Sequence, residues 1–324
     1  MQYFYKIRRA ANGLRPVIGC DKRYDKMKTT LAVLAIVCLS GGMVRAQPRS
    51  DSDSPQPTRT LNILTEPAAI VWLDEIRRGT TDADGQLLLA VANGAHSLRV
   101  RATGFKETTT PVTAATRGEL RVRLVRTTDQ AELLFQQAES ARDGAKSSDD
   151  RQKAADLYRQ TLRARAAYPV AHLGLARVLL DMNDTDGALA EIAAARLYRA
   201  VYPEASAVEG RIYRETGQTD EAIGSFNRAI RESHGFQPEA HVGLGRTYEE
   251  KGQYDLAARE FQIAVNQLSD TEPIIYQLLG AAYEKSGNRK EAIAAYESYL
   301  RLAPNGSQAS AVRSIIEQLK SEQP

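Results

Sequence analysis

Residues 273–305 read PIIYQLLGAAYEKSGNRKEAIAAYESYLRLAPN, and their spacing decides the fold. After Pro273 come a small residue at Gly280, an aromatic at Tyr283, then Gly287, Ala292 and a second aromatic at Tyr296. The same order follows Pro238 (Gly245, Tyr248, Gly252, Ala257, Phe261) and Pro203 (Gly210, Tyr213, Gly217, Ala222, Phe226). A period of about 34 residues with this pattern marks paired-helix solenoid repeats. The small residue lets two antiparallel helices touch closely. The later Gly ends the first helix in a left-handed conformation. The aromatics fill the gap to the next pair.

A weaker copy starts at Pro169, with Leu175, Ala176, Leu179, Asn183, Ala188 and Ile192 in the same places. Asn is the usual substitute for Gly in a left-handed cap. A degenerate unit lies upstream, with Leu133, Leu134 and Ala138, then Ala154, Leu157, Tyr158 and Leu162. Its turn, from Asp143 to Asp150, carries extra residues. At the other end Val312, Ile315, Ile316 and Leu319 form an i, i+3, i+4, i+7 stripe. That predicts one amphipathic capping helix over 306–320, which a solenoid needs to seal its last repeat.

These residues resemble the tetratricopeptide repeat family over 128–305. Leu279, Tyr299 and Pro304 also stand where that family expects them. The family's Trp near the start of the first helix is missing; His172, Ser206, His241 and Tyr276 hold that place. The resemblance implies a binding surface for proteins or peptides and no enzyme.

The front of the chain reads differently. Residues 31–44, LAVLAIVCLSGGMV, are its long apolar run, with the strongly apolar core at Leu31 to Leu39. A comfortable membrane span needs about 20 such residues. Basic residues precede the run, and Val44-Arg45-Ala46 places small side chains before a cut. Residues 1–46 are therefore expected to be a secretory signal peptide, leaving Gln47 as the new terminus. Met27-Lys28 would begin a compact signal by itself, and Met27 is the expected true start. Arg8-Arg9 lies too far from the run for a twin-arginine signal, and Val37 before Cys38 is wrong for lipidation.

Both cysteines, Cys20 and Cys38, fall in this leader, so the mature chain has no disulfide or thiol chemistry. Nine Lys and Arg against two Asp and Glu precede Gln47; beyond it the balance is 34 against 38. The basic charge belongs to the leader and implies no nucleic-acid binding. Residues 47–60, rich in Pro, Ser and Asp, read as a flexible linker.

Over 61–126 the period changes. Leu61 to Leu64, His96 to Arg101 and Leu120 to Leu124 alternate, and Ala69 to Leu73 and Gln86 to Val91 are short apolar strands. Asp74-Glu75, Arg78-Gly79, Asp84-Gly85, Asn93-Gly94 and Thr103-Gly104 are turn signals between them. The pattern predicts a small antiparallel β-sandwich. Glu66-Pro67-Ala68-Ala69, Gly79-Thr80, Asn93-Gly94-Ala95-His96 and Gly104-Phe105 resemble the PEGA module. Thr81 to Gln86 is equally similar to carboxypeptidase regulatory-like domains. Neither family brings a shared catalytic site. The expected fold class is thus multidomain: a small all-β sandwich, then an all-α solenoid of about five helix pairs plus a capping helix.

Arg177, Arg211 and Arg246 share one place in three successive repeats, which in the family faces the concave groove. A ladder of guanidiniums there could grip an acidic partner. Asp181, Glu215 and Glu250 follow one turn later, so each Arg can instead pair within its own helix. His172 and His241 read as core filling. His96 and His234 have no ligand partners at metal spacing. Asp82-x-Asp84-Gly85 matches only half of a calcium loop and reads as a turn. Trp72, the sole Trp, reads with Phe105 as sandwich core, against a minor reading as a sugar-stacking platform.

No catalytic, cofactor or metal constellation is present in the sequence. The expected function is an exported, non-catalytic scaffold in the periplasm or cell envelope, binding a protein or peptide partner of acidic character. Two alternatives are a cell-wall or carbohydrate-binding adaptor that uses the β domain, and an assembly factor anchored in an inner membrane by residues 29–45. In the last case alone the chain meets a membrane, through an uncleaved leader.

Overall fold

The computed structural model describes residues 58–268 and 272–321. The signal peptide, the Met27 start, both cysteines and most of the linker lie outside the described residues.

The β domain consists of two facing sheets. One has the order β4-β1-β7, from β1 (Thr58–Leu64), β4 (Gln86–Ala92) and β7 (Gly118–Arg121). The other has the order β3-β2-β5-β6, from β2 (Ile70–Leu73), β3 (Ile76–Thr80), β5 (His96–Arg101) and β6 (Thr108–Val112). Alternation puts Leu61, Ile63, Leu89 and Val91 of the first sheet against Val71, Leu73, Leu98 and Val100 of the second, all buried.

Four details differ from the sequence reading. The sandwich is not wholly antiparallel, because β7 pairs parallel to β1. A parallel pair needs a long crossover, and here the whole domain separates the two strands. β1 starts at Thr58, inside the expected linker, because Arg59 is held there: its guanidinium donates to the carbonyls of Ala92, Gly94 and Thr113 at 2.9–3.1 Å. Arg78-Gly79 is not a turn but the bulged part of β3. The Thr-rich β6 also escaped notice, with its Pro111 tolerated on an edge strand.

The helices follow in antiparallel pairs: α1 (Gln130–Asp143) with α2 (Ser148–Ala164), α3 (Pro169–Asp181) with α4 (Thr185–Tyr198), and α5 (Pro203–Glu215) with α6 (Thr219–Glu232). Then come α7 (Pro238–Glu250) with α8 (Tyr254–Leu268), α9 (Pro273–Lys285) with α10 (Arg289–Leu302), and the capping α11 (Ala309–Ser321). Proline opens α3, α5, α7 and α9, where its missing N–H costs nothing. Asn183, Gly217, Gly252 and Gly287 stand just past the first helices with φ between 62° and 81°, the left-handed caps expected of them. The turn between α1 and α2 is only one residue longer than that between α3 and α4. Ser147 forms a capping box with Asp150 and so starts α2 early.

The close approaches are those the small residues allow. A Cβ on Gly210 would sit 2.7 Å from the Phe226 ring, and one on Gly243 of the next repeat 2.3 Å from that ring. One aromatic thus plugs two repeats. Tyr158 against Gly174 repeats the arrangement at 2.3 Å, which sets the degenerate first pair in register with the rest.

Candidate partner-binding cleft

The first helices of successive pairs touch one another, α3 on α5 and α5 on α7. Arg177 of α3 even reaches Glu239 of α7, 3.2 Å away and two pairs along. Such a bond is possible only on the inner side of a curve, so the first helices line the concave face.

The β domain is fastened to the start of this face. Gln136 of α1 accepts from the Gly104 N–H at 2.9 Å and donates to the Phe105 carbonyl at 2.7 Å. Arg101 of β5 donates to Glu139 of α1 at 3.1 Å and lies over the Phe135 ring. Glu139 also accepts from Arg142 at 2.9 Å and from the Tyr158 hydroxyl. Burial opposes its charge, but Arg142 and Arg101 outweigh burial and hold its carboxyl below the usual range. Burial together with Glu139 raises the Tyr158 hydroxyl, which therefore stays a donor.

Between the outer face of the β3-β2-β5-β6 sheet and the inner ends of α1, α3, α5 and α7 lies a cleft of about 1580 Å³. Trp72 is part of its wall. The register explains this: Val71 and Leu73 point into the sandwich, so Trp72 points out, and the sequence reading of Trp72 as core is corrected. Arg99, its cross-strand partner, lies 4.0 Å over its ring, with Arg101 at 5.1 Å. Phe105 is partly buried against the sandwich core, as expected.

The three ladder arginines have different fates. Arg177 lines the cleft and pairs with Glu239, not with Asp181. Arg211 pairs with Glu215 of its own helix at 2.8 Å and with Asp181 of the preceding repeat at 2.9 Å. Burial works against the Arg211 charge, but Glu215 and Asp181 outweigh it and raise its pKa. Arg246 is exposed and has no ion pair among the described residues, because Glu250 is taken by Arg214 at 2.7 Å. Intrahelical pairing therefore holds for one of the three. Val242, one turn before Arg246 on the same face of α7, lines the cleft.

The histidines do more than fill space. His172 bonds Glu191 at 2.6 Å and His241 bonds Glu260 at 2.7 Å, each tying the two helices of its repeat. Burial opposes the charge of His172, but Glu191 and the Ala166 carbonyl raise its pKa above the usual value. The common 19-residue spacing to a Glu, present in two repeats, was a signal the sequence reading passed over. His96 bonds Asp74 at 2.6 Å, and Asp74 also accepts from the Ser97 N–H at 2.9 Å. These bonds hold the two left-handed residues Asp74 and Glu75 of the β2–β3 hairpin. Asp82 accepts from the N–H groups of Asp84 and Gln86, so its loop is a turn.

Family models described as tetratricopeptide repeat match residues 173–235, 207–273 and 273–305. Helices α3 to α10 match the tetratricopeptide repeat. Solved structures share the repeat fold. The APC/C hetero-tetramer Cut9–Hcn1 aligns with a TM-score of 0.51 at 17% identity, over 61% of this chain and 38% of that one. PilW, a type IV pilus biogenesis factor, aligns at 0.49 and 14%, over 60% and 93%. A thermophilic tetratricopeptide protein of Thermus thermophilus aligns at 0.48 and 21%, over 59% and 99%. No curated protein matches the chain. At 17% identity the likeness to Cut9–Hcn1 is one of fold alone. Tetratricopeptide repeats generally serve as non-catalytic scaffolds for protein partners.

Proposed function

We propose that this chain is an exported scaffold of the periplasm or cell envelope, which holds a protein or peptide partner on the concave face of its tetratricopeptide repeats. The observation that carries the reading is the open inner face, with its cleft of about 1580 Å³ and, one turn beyond Val242 of its lining, the exposed Arg246, which has no ion pair among the described residues. An acidic residue of the partner would pair with Arg246 directly. At Arg177 and Arg211 it would first have to displace Glu239, Asp181 or Glu215. The β domain, a PEGA-like or carboxypeptidase regulatory-like module in this reading, forms the far wall.

A photo-crosslinking residue in place of Arg246, compared with one in place of the exposed Arg259 on α8, tests the scaffold reading in the exported chain. Crosslinks to a protein from the inner position are expected. Crosslinks from Arg259 alone would contradict the reading. Export is tested separately: N-terminal sequencing of the mature protein should begin at Gln47, and a chain that keeps Leu31 to Leu39 would favour the anchored alternative.

The carbohydrate-adaptor alternative needs an open aromatic face. Arg99 already covers the Trp72 ring at 4.0 Å, which counts against it.

A further inference from the structure

We infer that the cleft is a composite peptide site, in which an extended, uncharged apolar segment of the partner lies between the Trp72 face of the β domain and the inner ends of α5 and α7. This rests on the scaffold reading and adds that the β domain helps to set specificity. Three observations lead to it.

The first is charge. Arg99 is matched by Glu75 and Glu107, Arg101 by Glu107 and Glu139, Arg142 by Glu139 and Asp143, Arg177 by Glu239, and His96 by Asp74. These wall charges pair with one another, and Arg246, which has no ion pair among the described residues, is not part of the lining, so a charged segment inside the cleft would lose its hydration and gain little counter-charge.

The second is the apolar surface that remains. Ile70 and Trp72 stand on the sheet wall; Pro203, Phe236, Val242 and Leu268 stand on the solenoid wall. Phe236 is 39% exposed and adds to this apolar surface. At about 1580 Å³ the space exceeds the roughly 300–1,000 Å³ of small-molecule pockets.

The third is the unused backbone chemistry. α5 and α7 begin in this cleft, and no side chain caps either N-terminus. Pro203 and Pro238 have no N–H and Ala240 donates to Gln237, but the N–H groups of Glu204, Ala205 and Glu239 have no acceptor among the described residues and can donate to peptide carbonyls. Glu204, also on the wall, has a side chain that is 29% exposed, with Arg199 4.0 Å from its Oε2. Its carboxylate can accept from a peptide N–H. A ligand with alternating donors and acceptors and apolar side chains meets all of these groups, and an extended peptide is that ligand.

Trp72 is the sole Trp of the chain, so its emission reports directly on the cleft. The probe is a random peptide library selected on the full chain, with the enriched peptides synthesised and labelled. We expect enriched sequences rich in aliphatic and aromatic residues and without net charge. Binding should shift Trp72 emission, change little between low and high salt, and weaken about tenfold or more in Trp72→Ala and in Val242→Asp. Trp72→Phe, which keeps a ring, should recover most of the affinity, and this separates lost contact from lost folding. Peptides that bind without moving Trp72 emission, resist Trp72→Ala and fail on Arg246→Ala would overturn the composite site while leaving the scaffold reading intact. A library that yields no binder would overturn both. A soluble cell-wall glycan that shifts Trp72 emission where no peptide does would overturn the proposal in favour of the adaptor.

Discussion

Arg177 in α3 donates to Glu239 in α7 across a gap of 62 residues, with 3.2 Å between the bonding atoms. The bond joins the inner rims of two pairs that are not neighbours. A row of arginines that resembled a ligand grip is thus partly used in stitching the concave face together. The pair is partly exposed on both sides, at 31% and 44%, and exposed ion pairs contribute about 0–1 kcal/mol. Arg177→Ala should therefore lower stability by no more than about 1 kcal/mol in urea unfolding. A larger loss would mean that the bond organises the curvature of the whole solenoid.

Packing makes a sharper prediction. Gly243→Ala would put a methyl about 2.3 Å from the Phe226 ring, a distance no real Cβ keeps. Overpacking of this kind typically costs about 1–3 kcal/mol. At Gly217 the cost has a different origin, since nothing lies within 4 Å but φ is +77°. There Ala should cost about 1 kcal/mol through backbone strain alone. Unfolding of the two variants side by side separates contact from conformation, and equal costs would argue against the aromatic plug.

Ala257 is fully buried in α8 among Phe261, Ala264 and Leu279. Ala257→Glu would bury an unpaired charge and should cost several kcal/mol, roughly 4 or more. A thermal melt that moves by only a degree or two would show that the repeat register is wrong.

Glu139 ties acid stability to the junction of the two domains. Its folded pKa is depressed, so its contribution is present above the unfolded carboxylate value of about 4.5 and is lost as pH falls through the folded value. Melts of wild type should therefore weaken steeply below about pH 4.5, and those of Glu139→Gln less so. At neutral pH Glu139→Gln should cost about 1.5–3 kcal/mol, because Arg101, Arg142 and Tyr158 all lose a charged acceptor. His172 has the opposite sign. Its folded pKa is raised, so its contribution is complete below about pH 6.5 and fades as pH rises through the folded value.

The repeats were legible because their signals are backbone-level: Pro at N1, Gly or Asn past the helix end, and a small residue facing an aromatic. Each acts within one helix pair, so sequence spacing contains it whole. The sandwich was legible in five of its seven strands. Apolar alternation announced β1, β5 and, overlapping its end, β7, and short apolar runs announced β2 and β4, whereas β3 is charged and bulged and β6 is a Thr-rich edge, neither with an apolar period to read. The cleft was not legible, since it depends on where β5 meets α1, a contact between residues such as Arg101 and Glu139 that no local pattern links. Trp72 is the instructive miss. Its neighbours Val71 and Leu73 already fixed it as outward by alternation, but its size suggested core.

The most direct test of the scaffold account is hydrogen exchange on the full chain with and without the partner captured at Arg246. The account predicts slowed exchange in α3, α5 and α7, on the face that joins Arg177, Val242 and Arg246, with α4, α6 and α8 unchanged. Protection confined to those second helices, or spread evenly along both helices of every pair, would contradict it.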